Sequence, residues 1–334
     1  MNNKNRFHID YSDHGIVYAL IIFLLILAMT NENFRAMPFY QNIFRQSSFN
    51  AICGIGMTFA IISGNFDLSV AAQVALVSVT LTKLMPVVGV LPAILIVLVL
   101  GVVLGAFNGI LIAKIRIPAF IATLATQLGY RALAQLIENT PIVVKDVGFK
   151  HFSLAKVGIV PVPFIIMTGI AIIGTIILRK TRLGRSIIAI GNSHEAAKIS
   201  GISISWTLIR IYMIVGLFTA CSAIMLTSYL GSSNFGMQIG LEFTVISAVV
   251  LGGTALAGGK GSIFNTIVAA IFLVTLKSAM DTWGLDSSWQ RVLSGVILVV
   301  AFSITTIRTT FNIGIIKYRS RKNLRKRLRN QPGS

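Results

Sequence analysis

The chain has 334 residues, 55% of them hydrophobic and only 12% charged, with a mean hydropathy of +0.82. Soluble domains carry about 25% charged residues, so a water-soluble enzyme, a disordered tail, a collagen and a disulfide scaffold are excluded, and a polytopic helical membrane protein is expected. Lys and Arg number 29 against 10 Asp and Glu, a net charge of +19. The basic residues sit in short stretches between apolar segments, as cytoplasmic loops do beside an anionic leaflet, and no aromatic-basic platform points to nucleic acid.

A bilayer span needs about 20 apolar residues. In chain order the apolar segments fall at 15–30, 48–64, 67–85, 87–113, 117–137, 161–178, 207–230, 242–258, 262–280 and 290–311. The first follows Lys4 and Arg6 like a signal peptide core, but Asn31-Glu32-Asn33 offers no small-residue cleavage site, so it is expected to be retained. The second, third, eighth and ninth segments are short or closely joined, which predicts half-helices or tilted spans.

With the amino terminus inside, Lys114 and Arg116, the Arg179–Arg185 cluster and Lys260 all fall on the cytoplasmic side. The basic tail from Lys317 to Arg329 falls there too. The outer loop 138–160 is less orderly, with Lys145, Lys150 and Lys156 beside Glu138 and Asp146. The expectation is an all-α protein of ten spans with both termini cytoplasmic. Residues 1–14 form an N-terminal segment, 15–316 one transmembrane domain containing a cytoplasmic loop at 179–206, and 317–334 a basic tail.

Several local patterns carry packing information. Gly101, Gly105 and Gly109 recur every four residues on the fourth span, a stripe that admits another helix closely in lipid; a glycine lane for substrate is the weaker alternative. Pro118, Pro161 and Pro163 stand at span starts, where a missing N–H is harmless. The stretches 62–69 and 251–262 echo one another, so a parallel internal repeat is considered. Cys53 and Cys221 lie in apolar runs and are expected as small buried hydrophobes.

Chemistry is scarce. His8, His14, His151 and His194 show no metal-ligand spacing, and no nucleophile set is present. The stretch Gly252–Ser262 fails as a phosphate loop, because Thr254 stands where glycine is required and Gly261 follows Lys260. No metal or cofactor is expected in this chain, and an energised cycle needs another subunit to bind ATP.

The loop 179–206 is the most informative stretch. Ser193 suits an N-cap, Glu195 to Ser200 a short helix, and Gly201 a stop. Such a helix can slot into a groove on a partner and transmit its motion; a solvated connector is the alternative.

The Thr-Arg-Leu-Gly-Arg run at 181–185, Ala189-Ile190-Gly191-Asn192 and Glu195-Ala196-Ala197-Lys198-Ile199-Ser200-Gly201-Ile202 resemble the coupling region of ribose-type ATP-binding-cassette (ABC) importer permeases. Asn50-Ala51-Ile52 with Gly56-Met57-Thr58, Asp67-Leu68-Ser69-Val70, Lys114 with Pro118 to Leu124 and Arg131, and Val249 to Thr254 with Ala257 to Ser262 are similar to further motifs of that family, in its order. The resemblance covers residues 45 to 305. It implies the membrane subunit of a bacterial sugar importer, paired with a second permease copy or paralogue, energised by ABC ATPase subunits and supplied by a periplasmic sugar-binding protein, in the bacterial inner membrane. It also implies that Gly191, Glu195, Ala196, Ala197, Lys198 and Gly201 belong to the ATPase-coupling segment. Asn65-Phe66 and Ala71-Ala72 depart from the family's Gly-Ile and Gly-Ser, so the bend there is expected to differ.

Polar residues within spans are costly and therefore functional candidates. Asp67 is expected to cap the third span, and Glu242 the outer end of the eighth, with pathway contact as the alternative for each. Gln127 and Arg131 share a face of the fifth span, and Arg131 could snorkel outward or pair with Glu138. A neutral, hydroxyl-rich solute asks for scattered amides, hydroxyls and aromatic faces, so Asn50, Thr58, Phe59, Thr123, Thr126 and the segment Ser232–Gln238 join the pathway candidates. An ion-coupled transporter or channel would show more mid-span charge, and a membrane-embedded transferase would need paired carboxylates or a histidine cluster.

Overall fold

The computed structural model describes residues 15–286 and scattered positions from 288 to 303. Most of the tenth expected span, residues 1–14 and the basic tail lie outside the described residues.

Twelve α-helices and four two-residue strands make up this region. In order the helices are α1 Gly15–Thr30, α2 Met37–Ile62, α3 Val70–Val88, α4 Val90–Ala113, α5 Ala119–Ile137, α6 Val147–Phe152, α7 Val162–Lys180, α8 Arg182–Asn192, α9 His194–Ile199, α10 Ile204–Leu230, α11 Leu241–Leu251 and α12 Ile263–Thr282. Five of them (α3, α4, α7, α10 and α12) are long and apolar enough to cross a membrane. The all-α expectation is corrected only by the strands, β1 Ile142–Val143 with β4 Ser232–Ser233, and β2 Lys156–Val157 with β3 Val160–Pro161, both antiparallel.

The long helices alternate in direction, which gives the bundle two unlike ends. At one, residues 138–161 fold into a compact cap. Asp146 caps α6 by accepting from the Phe149 N–H at 2.7 Å. The Ser153 hydroxyl donates to the Met225 carbonyl at 2.7 Å, and Arg45 Nε donates to the Ser153 carbonyl at 3.0 Å. Helices α8 and α9 sit together at the opposite end as a platform.

Helix α2 is the central mast, buried almost continuously from Ser47 to Ile62. It starts at Met37, earlier than the expected 48, because its polar first half lies under the cap, where Arg45 and Gln41 find partners. Helix α4 lies on α10 through the glycine stripe. A Cβ on Gly101 would stand 2.5 Å from the Gly216 carbonyl oxygen, one on Gly105 would strike the Tyr212 carbonyl, and one on Gly109 would stand 2.7 Å from Ile209 Cα. Backbone of α10 therefore fills the stripe, and no lane remains for a solute.

The expected eighth span is corrected: α11 ends at Leu251, not 258. The N–H of Gly253 bonds the Val250 carbonyl and that of Thr254 the Val249 carbonyl. After α2, Gly64 bonds Ile61 and Asn65 bonds Ala60 in the same pattern. The echo between 62–69 and 251–262 is thus a shared helix-ending motif, with Gly64 and Gly253 both at positive φ. Gly64 closes the turn, so Asn65 and Phe66 follow it without needing to be glycine.

Candidate functional site

The platform is built by two caps. Thr181 Oγ1 accepts from the Gly184 N–H at 3.2 Å and starts α8, which buries Ile187 and Ile190 and exposes Arg182 and Arg185. Ser193 Oγ accepts from the Ala196 N–H at 3.2 Å and starts α9. Gly201, at φ +78°, follows its end. Glu195 in the first turn and Lys198 in the last both complement the helix dipole. Glu195, Ala196 and Lys198 are exposed, and Ile199 is 84% exposed, whereas Ala197 is turned inward and buried.

Just before α9 the platform meets the bundle through backbone alone. A Cβ on Gly191 would collide with the Ile62 carbonyl oxygen and the Gly259 nitrogen. The Gly259 N–H donates to that Ile62 carbonyl at 2.8 Å. A Cβ on Gly258 would stand 2.8 Å from the Gly191 carbonyl oxygen. The ends of α2 and α8 and the loop between α11 and α12 are therefore locked at one point, two residues from the cap of α9.

A second constellation lies at mid-depth. Gly252, at the end of α11, abuts Asn265 and Thr266 in the first turn of α12. From there α11 rises only about 16 Å at 1.5 Å per residue, which sets its N-terminus about two-thirds of the way along the 20-residue α12. Glu242 in that first turn is 4% exposed. Its Oε1 accepts from Gln127 Nε2 at 2.9 Å, near the middle of α5, while its Oε2 is buried without a partner among the described residues. One turn along α5, Arg131 Nη1 donates to the carbonyls of Phe235 and Met237 at 2.7 and 2.8 Å. Two expectations are corrected here. Glu242 makes no capping bond and lies against the middle of α5 rather than at the outer end of a span, because Gln127 and Arg131 hold the start of α11 and the segment before it to that helix. Arg131 does not meet Glu138, whose carboxylate is taken by Lys83 Nζ at 2.5 Å.

The other candidates are held in packing. Asn50 is half-buried on α2, and Phe59 is fully buried there. Thr58 Oγ1 lies 3.0 Å from Thr266 Oγ1, joining α2 to α12. Thr123 and Thr126 bond back to carbonyls of their own helix. Asp67 does not cap α3: it lies ahead of the N-cap Ser69, fully buried, in a cradle of donors. The Ser69 N–H and hydroxyl reach its Oδ1 at 2.9 and 2.5 Å, and the Asn108 amide lies 3.5 Å from both oxygens. Sequence reasoning missed Asn108, although one amide inside an otherwise apolar span is a visible signal. It also missed Ile62, whose share in the junction is made by its carbonyl and leaves no mark in residue type.

Long apolar helices, a half-helix opening at mid-depth and a platform tied to it by backbone define a multi-pass membrane permease. Residues 39–302 match the family model described as "Branched-chain amino acid transport system / permease component", and the chain belongs to that family. It is 36% identical over 311 residues to the ribose import permease protein RbsC of Bacillus subtilis (strain 168), covering 89% of this chain and 94% of that one. It is 35% identical over 289 residues to the probable ABC transporter permease protein YphD of Escherichia coli (strain K12), covering 86% and 87%. The galactose/methyl galactoside import permease protein MglC of Salmonella typhimurium (strain LT2) is 28% identical over 327 residues, covering 92% and 97%. No solved structure matches the chain.

Proposed function

We propose that this chain is the membrane subunit of an ABC importer that moves a monosaccharide inward across the bacterial inner membrane. The solute class follows from the relatives, which are named as ribose and galactose permeases. The observation that carries the mechanism is the Gly191–Ile62–Gly259 junction.

In this reading the chain has ten spans with both termini cytoplasmic, the platform faces the cytoplasm, and the cap faces the periplasm. ABC ATPase subunits dock on α9 through Glu195, Ala196, Lys198 and Ile199, bind the ATP, and push or pull that helix. Ala197, buried beneath, transmits the push, and Gly191 hands it to α2 and to the α11–α12 loop. A partner can only shift a two-state bundle by contacting its two states differently, and a lever tied by backbone to the mast supplies that difference. A second permease copy or paralogue completes the pathway, and a periplasmic sugar-binding protein delivers the solute at the cap. Asn50 and the Gln127–Arg131–Glu242 group are the polar positions retained as pathway contacts, while Thr58, Phe59 and Asp67 serve helix packing.

The test is uptake of labelled D-ribose and D-galactose in cells lacking the chain and in cells resupplied with it. Restored, ATP-dependent uptake with an ATPase subunit co-purifying in mild detergent is the expected result. Undiminished uptake of both sugars on deletion rejects the reading.

A further inference from the structure

The segment from Phe235 to Glu242 is held to α5 by two side chains one turn apart. Arg131 fixes the carbonyls of Phe235 and Met237, and Gln127 holds Glu242. Gln238 adopts φ +58° and Gly240 φ +88° within it, so the chain descends by a tight left-handed path before α11 starts. Glu242 is thus a carboxylate at mid-depth with half of its hydrogen-bonding capacity used. Burying an oxygen of this kind without a partner costs stability, and no side chain among the described residues relieves that cost. Helix α11 also has no side-chain cap, and its first turn carries the same carboxylate. A half-helix terminus near the midplane is a recurrent place for a polar solute group.

We infer that Glu242 is the recognising residue of a mid-depth subsite for the hydroxyl groups of a polyol, held in position by Gln127 and Arg131, with its Oε2 as the acceptor of a hydroxyl proton. Vicinal hydroxyls suit a carboxylate because two O–H donors can meet its two oxygens. Oε2, without a partner among the described residues, takes the first hydroxyl, and the second displaces the Gln127 amide from Oε1. Displacement also unties α11 from α5 at this level, so binding the solute and loosening the strap are one exchange of hydrogen bonds. Arg131 stays on the Phe235 and Met237 carbonyls and keeps the lip of the subsite in place. The inference rests on the proposed sugar-importer function and adds to it the residue that recognises the solute.

The test compares three variants in cells lacking the native chain, with labelled D-ribose and D-galactose and with membrane abundance measured alongside. Glu242→Gln keeps the shape and an oxygen for Gln127 but replaces the free acceptor by a donor. Uptake of the carried sugar is expected to fall on the order of tenfold, as for loss of a hydrogen bond to a charged group. Gln127→Ala removes the strap and keeps the carboxylate, and is expected to lose much less. Glu242→Gln at the wild-type rate overturns the inference. Equal losses in Glu242→Gln and Gln127→Ala also overturn it, since the pair is then a strut. If Glu242→Gln does not reach the membrane, Glu242→Asp decides: reduced uptake at normal abundance supports the subsite, and unchanged uptake overturns it. In each case wild-type chain that restores uptake leaves the importer reading intact.

Discussion

Asp67 shows how one ionisable residue is accommodated in an apolar interior. A buried carboxylate without a counter-ion is costly, and here a backbone N–H, a hydroxyl and the amides of Asn108 and Gln73 replace water around it. Asn108 Nδ2 also reaches Ser69 Oγ at 2.8 Å, so the turn after α2 is pinned to α4. Asp67→Ala leaves these donors unpaired and is expected to destabilise the protein by about 3 kcal/mol, read as the thermal midpoint in detergent. Asn108→Leu on top of it should cost less than in the wild type, because its partner is already gone. The glycines separate in the same way. Gly201 has open space around a Cβ position and only its positive φ to lose, so Gly201→Ala should cost about 1 kcal/mol. Gly191→Ala drives a methyl into two backbone groups and should cost about 3 kcal/mol or detach the platform. Residue type in the sequence announces Asp67 and Gly191 as special, but it does not say which backbone each one meets.

Among the elements, legibility follows where the cause of folding lies. Helix α9 is readable because its determinants are local: Ser193 before it, Gly201 after it, and opposite charges at its ends. Helix α8 is not, since Ile187-Ile188 between two glycines looks like an apolar connector until Thr181 caps it and Ile187 and Ile190 are buried. Hydropathy also misses the first half of α2 and the early end of α11, because cap contacts and turn bonds set them rather than lipid. The orientation of α9 separates two alanines that read alike. Ala196→Trp, on the exposed side, should leave thermal stability unchanged and abolish ATP-driven uptake, whereas Ala197→Trp, on the buried side, should lower stability itself. Stability and uptake measured on the same preparations distinguish these outcomes. At the cap end, the bonds from Lys83 and Thr140 hold the Glu138 carboxyl down to about 2. Because this pKa is depressed, the contribution to α3–α5 pinning is complete above the ordinary carboxylate range and lost as pH falls through about 2. In Lys83→Met, Glu138 should titrate nearer the ordinary value, seen as loss of cap protection in hydrogen exchange already near pH 4.

For the molecule as a whole, the docking role proposed for α9 requires that the platform end face the cytoplasm. The three lysines at the cap, Lys145, Lys150 and Lys156, run against the placement of Lys and Arg in cytoplasmic loops. Two of them are engaged in the cap: Lys156 Nζ donates to Gln41 Oε1 at 2.5 Å, and the Lys150 stem lies beside Gly231. With these two lysines held in folded contacts, Arg179, Lys180, Arg182 and Arg185 at the platform favour the proposed orientation, with the platform inside. The two short platform helices lie at one end and add no crossing, so the alternation of the long helices is preserved from α1 to α12. The expected result is that single cysteines at Ile159 on the cap and Ile199 on the platform, both exposed, label from opposite sides. The background is clean once the buried Cys53 and the half-buried Cys221 are replaced by alanine. A membrane-impermeant maleimide applied to intact spheroplasts should modify the cysteine at 159 and reach the one at 199 only after the membrane is broken. Labelling of 199 from outside would invert the molecule and, with it, the ATPase-docking role of α9.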